Sequence, residues 1–216
     1  MISEVSEATV GDVVAIAIGP QKQVFQVHKE ILCKKSEYFR TAYNGRWKEA
    51  EEGVTLEDVE VGVFKFFVHW LYTQQLPDYD EDDEDDESEN GEDDSLQGLG
   101  GMLLKACAFG HRFLIKDFER ITHNRYVKYF MHCTWYTHVI YAYNNLPAQS
   151  LLLKLMVEKQ CINWSSDFDN KRNKEEERRH DLPKEFLIQV MVRFAERRDN
   201  IKNPEELRAE DFYMKE

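Results

Sequence analysis

The stretch VFQVHKEILCKKSEYFRTAYNGRWKEAEEGVTLEDVEVGVFKFFVHWLYTQQL, residues 24–76, contains the changes of hydrophobic period on which the fold depends. Residues 23–28 alternate between polar and apolar and predict a strand. From residue 29 the spacing is helical, and the predicted helix has one face made of Leu32, Ser36, Phe39 and Tyr43. A short strand follows at residues 53–56. The stretch closes on a strongly apolar helix that ends before Gln74, with a core face of Val63, Phe67, Trp70 and Leu71.

On the amino-terminal side of this stretch, residues 12–19 are apolar and β-branched and end at Gly19-Pro20, a strong turn signal. Residues 12–28 therefore predict a β-hairpin. On the carboxy-terminal side, Leu76-Pro77 predicts a last short strand, and from residue 99 onward the period is helical. The sequence predicts an α+β fold, in which a small sheet is flanked by a cluster of helices and followed by additional carboxy-terminal helices.

The carboxy-terminal helices have their own start and stop signals. Thr134 is the predicted N-cap of a helix over residues 135–144, and Pro147 stands where a helix start tolerates proline. Pro183 opens the last helix, whose predicted core face is Leu187, Val190, Met191 and Phe194. The polar residues 200–216 are expected to fray.

The net charge of −13 comes from one segment. Residues 78–94 contain thirteen acidic residues and no basic ones, while the rest of the chain has 28 acidic and 28 basic residues. Such a run repels itself and cannot bury apolar surface, so it is predicted to be a solvated, disordered insertion. Its densest part is Asp82, Asp83, Glu84, Asp85 and Asp86, which could attract basic segments of a partner protein. The alternative is a tolerated loop without a role of its own.

Residues 24–76 resemble the BTB/POZ domain family, and the chain is similar to fungal-type BTB proteins with a carboxy-terminal helical extension. The resemblance rests on Val27-His28-Lys29, Ser36 and Phe39, Trp47-Lys48-Glu49, Leu56-Glu57-Asp58-Val59, Phe64 and Phe67, and Trp70-Leu71-Tyr72-Thr73. Further on, residues 106–115 are similar to the Ala-x-x-Phe helix that leads into the last helix of the family. We expect a BTB/POZ domain over residues 10–131 with an acidic insertion at 78–95, a helical extension over 132–199, and a polar tail over 200–216.

The resemblance implies a protein–protein interaction module. Some family members recruit cullin scaffolds of ubiquitin ligases through a hydrophobic-x-Glu motif after the Ser-x-x-Phe helix, and Trp47-Lys48-Glu49 falls at that place. We therefore expect Trp47, Lys48 and Glu49, with Tyr43 at the end of the preceding helix, to bind a partner. The alternative for these residues is that Trp47 folds back on the core and Glu49 is solvated. The alternative function is a scaffold or corepressor-type assembly domain in transcription or chromatin.

The sequence shows no signature of catalysis. It lacks a phosphate-binding glycine loop, a nucleophile elbow and a zinc-protease motif, so we expect neither an enzyme nor a cofactor. His132, Cys133 and His138 have the spacing of no common metal site. The four cysteines are widely spaced, which favours reduced, buried thiols.

The remaining expectations concern surroundings and partners. No basic patch offsets the acidic run, which argues against nucleic acid as a partner. No secretory signal or membrane-length apolar run is seen, so an intracellular protein of the cytoplasm or nucleus is expected. Only about ten residues precede the hairpin, so we expect a monomer or a homodimer unlike the strand-exchanged dimers of the family.

Overall fold

A computed structural model describes residues 11–44, 53–77, 96, 98–129, 135–164, 175–199 and 209–215. Its contacts divide the chain into two compact units. The first unit consists of Met1–Asp78 with Lys105–Ile121, and the second unit consists of Tyr79–Leu104 with Thr122–Glu216. The division passes through two helices, so each of these helices contributes residues to both units.

The first unit contains a three-stranded sheet with the order β2-β1-β3. Strands β1 (Val13–Ile18) and β2 (Gln23–His28) form the predicted antiparallel hairpin, and β3 (Val54–Leu56) lies parallel to β1. The hairpin turn begins at Gly19, whose φ of 74° is accessible to glycine without steric strain. The Gly19 amide donates to the carbonyl of Leu56 at 2.9 Å, which ties the turn to β3. The predicted α+β fold with a small sheet is confirmed.

Two short helices follow the hairpin, α1 (Lys29–Lys35) and α2 (Glu37–Ala42). The sequence predicted one continuous helix here, and that prediction is wrong at Ser36. The backbone of Ser36 is extended, with φ −123° and ψ 121°, and its side chain accepts a hydrogen bond from the Phe39 amide at 3.1 Å. Serine is a favoured N-cap residue, so it ends the first helix and starts the second while the apolar face continues across the break.

Helix α3 (Val61–Thr73) is the apolar helix predicted from the aromatic pattern. It ends at Gln74, which has a left-handed backbone. Six of its side chains are buried, namely Val63, Phe64, Phe66, Phe67, Trp70 and Leu71. Residues 74–77 are not in a strand, so the last short strand predicted at Leu76-Pro77 is wrong, although Leu76 is buried.

Six helices complete the described part of the chain: α4 (Leu99–Arg112), α5 (Lys116–Tyr129), α6 (Tyr136–Asn145), α7 (Leu151–Asn163), α8 (Glu175–Arg178) and α9 (Lys184–Asp199). Short 3-10 turns lie at Arg179–Asp181 and Ala209–Phe212. Trp135 occupies the N-cap position of α6, while the predicted cap, Thr134, lies outside the described residues. The start of α7 is capped by Ser150, which accepts a hydrogen bond from Leu152, and Pro147 lies in the preceding turn.

In the second unit α9 packs on α7, but with a different face from the one predicted. Phe186 and Val190 are buried, whereas Leu187, Met191 and Phe194 are 43%, 71% and 42% exposed. The prediction of a core face with these three residues is therefore wrong. Because Arg193 and Arg197 share the face of Phe186 and Val190 and pair with Glu158 of α7, ion pairs as well as apolar contacts select the packed face.

Candidate protein-docking surface

Two turns of the first unit are joined by a hydrogen bond. The Ser36 hydroxyl, in the α1–α2 break, donates to the carbonyl of Phe113 in the α4–α5 turn at 2.7 Å. Ser36 is 1% exposed, so this bond is sheltered from water. Two exposed apolar side chains flank the junction, Tyr38 at 37% and Leu114 at 49%. We call these two side chains, together with the charged residues Lys35, Asp58, Arg112 and Asp117, the turn surface.

The α4–α5 turn is a Schellman motif with an unusual residue at its left-handed position. The Ile115 amide donates to the Gly110 carbonyl at 2.8 Å, and the Leu114 amide donates to the His111 carbonyl at 3.2 Å. Leu114 has φ 54°, a conformation for which glycine or asparagine is normally used. A leucine here costs about 1 kcal/mol or more in backbone strain and leaves its side chain half exposed. Strain of this kind is concentrated at functional positions.

Aromatic packing holds Tyr38 in place. Its ring meets those of Phe39 and Phe113 edge to face, with centroids 5.1 and 5.0 Å apart. The rings of Phe39 and Phe113 are themselves stacked at 5.7 Å. Edge-to-face and offset contacts of this kind add to the stabilisation that burial gives. Tyr38 is therefore an exposed ring on a fixed support, which suits an interface anchor.

Charged pairs lie beside both turns, since Lys35 directly precedes Ser36 and Arg112 directly precedes Phe113. Arg112 binds Asp58 through two nitrogens, at 2.6 and 3.2 Å, and its guanidinium also lies over the Phe113 ring. The hydrogen bond from Arg112 lowers the pKa of Asp58, which keeps that carboxylate ionised. Lys35 lies 3.5 Å from Asp117. An apolar centre with a mixed polar rim is the usual anatomy of a protein interface.

The predicted partner-binding residues lie next to this surface in sequence. Trp47, Lys48 and Glu49 lie outside the described residues. Tyr43 is described and is only 4% exposed. Its hydroxyl donates to the Ala15 carbonyl at 3.2 Å, and burial raises its pKa to about 12, so the phenol keeps its proton. This buried contact holds the end of α2 in place.

The other predicted features are placed as follows. The five acidic residues Asp82, Asp83, Glu84, Asp85 and Asp86 lie outside the described residues. Nδ1 of His28 lies 2.8 Å from the Tyr72 hydroxyl, which also accepts the His28 amide at 3.1 Å. This pair joins α3 to the end of β2, so the contact of His28 is a structural one. Ser36 is buried, and its hydroxyl donates to a backbone carbonyl.

Sequence reasoning missed both Tyr38 and Leu114. A signal for Tyr38 was available, because it directly precedes the core residue Phe39 on a short amphipathic helix and so falls beside the buried face. Leu114 gave no local signal, since the sequence HRFLIK has neither the glycine nor the asparagine that marks a left-handed residue. Its conformation follows from tertiary packing.

Histidine, cysteine and carboxylate side chains are spread over the described residues. No group of three or more His, Cys, Asp or Glu side chains in that part of the chain could hold a metal ion. Nδ1 of His138 lies 2.9 Å from the Tyr126 hydroxyl. Burial raises the pKa of Cys33, and burial together with Glu158 raises that of Cys161 to about 11, so both thiols stay protonated and weakly nucleophilic at neutral pH. Of the helices described, none has the length and apolar character that crossing a membrane requires.

The sequence of this chain is similar to that of known proteins. A family model described as BTB/POZ domain matches residues 7–87. A protein of Arabidopsis thaliana named BTB/POZ and MATH domain-containing protein 6 is 36% identical over 53 residues, which is 24% of this chain and 13% of that protein. The matched segment is thus a small part of that relative. The resemblance of residues 106–115 to the family lies beyond the family match and stays a prediction. The chain therefore contains a BTB/POZ domain, a protein–protein interaction domain, over the residues that the family model matches.

Proposed function

We propose that the chain is an adaptor whose BTB/POZ domain docks a cullin-type ubiquitin-ligase scaffold through the turn surface and Trp47-Lys48-Glu49. The observation that carries the proposal is Leu114, which is held at φ 54° with half of its side chain in water. Packing within the domain gains little from a leucine in that conformation, whereas a partner gains an apolar contact. The cullin class comes from the family resemblance and from the hydrophobic-x-Glu motif.

The architecture supports a single docking site. Ser36 ends α1 and starts α2, and the same hydroxyl is bonded to the α4–α5 turn. Helix α2 ends at Ala42, and the buried Tyr43 fixes the point from which the chain continues toward Trp47. In the sequence, the first residue of the motif, Trp47, follows the last residue of α2 by five positions. This short separation in the sequence is why we expect a partner that contacts Tyr38 and Leu114 to contact Trp47 as well.

The proposal is tested by measuring the affinity of the purified chain for the amino-terminal part of a cullin. We expect Tyr38→Ala and Trp47→Ala/Glu49→Ala each to weaken binding by about tenfold or more, as central anchors do. Leu114→Gly should weaken binding while folding stability changes by less than about 1 kcal/mol, because relief of strain offsets the lost side-chain contacts. Val24→Ala is the matched control, since Val24 is 61% exposed on β2 and should leave binding unchanged.

Each outcome has a distinct meaning. Absence of binding by the wild-type chain would remove the cullin proposal and leave the interaction domain without an assigned partner. Binding that Tyr38→Ala and Leu114→Gly leave intact, but that Trp47→Ala/Glu49→Ala abolishes, would place the interface on the motif alone. Affinity purification with mass spectrometry, with the Leu114→Gly chain for comparison, would then identify the partners that need the turn surface.

A further inference from the structure

In the second unit, residues 209–215 bind to α5 as a short peptide would. The carbonyl of Phe212 lies 2.7 Å from Nε2 of His123. The carboxamide of the neighbouring residue, Asn124, contacts both main-chain groups of Met214: Oδ1 accepts the Met214 amide at 2.9 Å, and Nδ2 donates to the Met214 carbonyl at 3.4 Å. Two consecutive residues of one helix therefore hold the main chain of the tail at two points.

The contact with Phe212 determines which ring nitrogen of His123 carries a proton. A carbonyl only accepts hydrogen bonds, so Nε2 of His123 must carry the proton. The side chain is 2% exposed, and burial lowers its pKa, while the bond to Phe212 opposes that shift. The ring is thus neutral with its proton on Nε2. A buried donor of this kind is costly to leave without an acceptor, and the Phe212 carbonyl is the acceptor that the tail supplies.

The tail itself has the features of a short linear ligand. Phe212 is 5% exposed and acts as the anchor, whereas Glu210, Asp211 and Lys215 are exposed. The tail also packs on α7. The contacts use one buried aromatic side chain and main-chain groups, so a ligand needs an apolar anchor and free backbone groups two residues beyond it. The prediction of a frayed tail is therefore wrong for residues 209–215. It considered only the polar character of the segment and overlooked that Phe212 could anchor it.

We propose that His123 and Asn124 form a peptide-binding site, that residues 209–215 are its resident ligand, and that an external peptide of the same chemistry can replace them. The ligand class is a short segment with a phenylalanine and with an accessible amide and carbonyl two residues after it. A tethered ligand competes at an effective concentration on the order of millimolar, so exchange needs a competing peptide of comparable or higher local concentration. This site belongs to the second unit and is independent of the turn surface.

The test uses the full chain and a fluorescent peptide with the sequence of residues 206–216. Phe212→Ala in the full chain removes the resident anchor and frees the phenylalanine position. Fluorescence anisotropy should then show binding of the peptide to this variant, and at least tenfold weaker binding to the wild-type chain, whose own tail competes. The same peptide with alanine in place of Phe212 is the control ligand, and it should bind at least tenfold more weakly to the Phe212→Ala chain.

Two further measurements separate peptide binding from loss of folding. Adding Asn124→Ala to the Phe212→Ala chain should abolish peptide binding while circular dichroism shows the helices intact. In the wild-type chain, an excess of unlabelled peptide should speed hydrogen exchange at the Met214 amide, because its acceptor is taken over. A folded Phe212→Ala chain that binds no peptide, together with unchanged exchange at Met214, would overturn the proposal and make the tail a permanent part of the unit.

Discussion

Helices α3 and α9 are both rich in apolar residues, but they are covered to very different degrees. In α3, of thirteen residues, six apolar side chains are buried. In α9, of sixteen residues, only Phe186 and Val190 are buried among the large apolar ones, and five are exposed: Leu187, Ile188, Met191, Val192 and Phe194. The comparison teaches that helical spacing of apolar residues identifies a helix, whereas the number of elements that pack around it decides how much of its surface is buried.

The two helices are also held by different forces. Phe67 of α3 contacts four rings, those of Phe64, Trp70, Phe109 and Phe118, within 6.2 Å between centroids. In the contact of α9 with α7, Glu158 lies 2.6 Å from Nε of Arg193 and 3.2 Å from Nη2 of Arg197. Aromatic packing on several sides fixes α3, whereas apolar packing on one side together with an ion-pair cluster fixes α9.

The largest expected effect is that of Phe67→Ala. Phe67 is fully buried, so its truncation should lower the free energy of unfolding by about 3–5 kcal/mol through lost transfer energy and a cavity. Phe194→Ala removes the same side chain from α9, where it is 42% exposed, and should cost less than about 1.5 kcal/mol. Urea unfolding of the two variants measures both values. Equal losses would mean that the exposed face of α9 is covered in solution.

Much of the first unit was predictable because its pattern is local. Hairpin residues 12–28, strand β3 and helix α3 follow from period, turn residues and aromatic spacing. The break at Ser36 was not predicted, since the apolar spacing of 4, 3 and 4 continues across it. Its cause is tertiary: the hydroxyl that caps α2 also binds the Phe113 carbonyl, 77 residues away in the sequence.

The candidate site was predictable only in part. The Trp47-Lys48-Glu49 motif could be proposed from the sequence, but it lies outside the described residues and stays a prediction. Leu114 could not be found, because its positive φ results from the close approach of α4 and α5. A Cβ at Gly110 would lie only 2.7 Å from the Glu119 amide nitrogen, so that approach depends on a glycine four residues before Leu114.

The next largest effect is expected from Glu158→Gln, which tests how α9 is held. The Glu158 side chain is 9% exposed, and its loss of charge leaves Arg193 and Arg197 without their buried carboxylate. Because both arginines are 29% exposed, water compensates in part, and we expect a loss of about 2–3 kcal/mol. Glu196→Gln is the matched control: Glu196 also contacts Arg193 but is 54% exposed, so its loss should be below about 0.5 kcal/mol. Equal losses from the two variants would show that α9 is held by apolar contacts alone.

Two serine caps allow the same comparison at smaller scale. Ser36 caps α2 while buried and also binds the Phe113 carbonyl, so Ser36→Ala should cost about 1.5–2 kcal/mol. Ser150 caps α7 of the second unit with one bond, at 3.3 Å, and Ser150→Ala should cost about 0.5–1 kcal/mol. Thermal unfolding of both variants measures the difference. If Ser150→Ala were the more destabilising change, the bond between the two turns would contribute little to the first unit.

The smallest effect is expected at the centre of the exposed α9 face. Met191 is 71% exposed and its neighbours along the helix surface, Leu187 and Phe194, are also partly in water, so Met191→Lys replaces one solvated side chain by another. Both residues have high helix propensity, and the free energy of unfolding should change by less than about 0.5 kcal/mol. The same substitution at Val190, which is 9% exposed and lies on the packed face of α9, should cost several times more because it moves a charge out of water beside Arg193 and Arg197. Urea unfolding of the two lysine variants measures this difference. A large loss of unfolding free energy from Met191→Lys, measured at low protein concentration, would show that the apolar side chains on both sides of α9 are covered, as they are in α3.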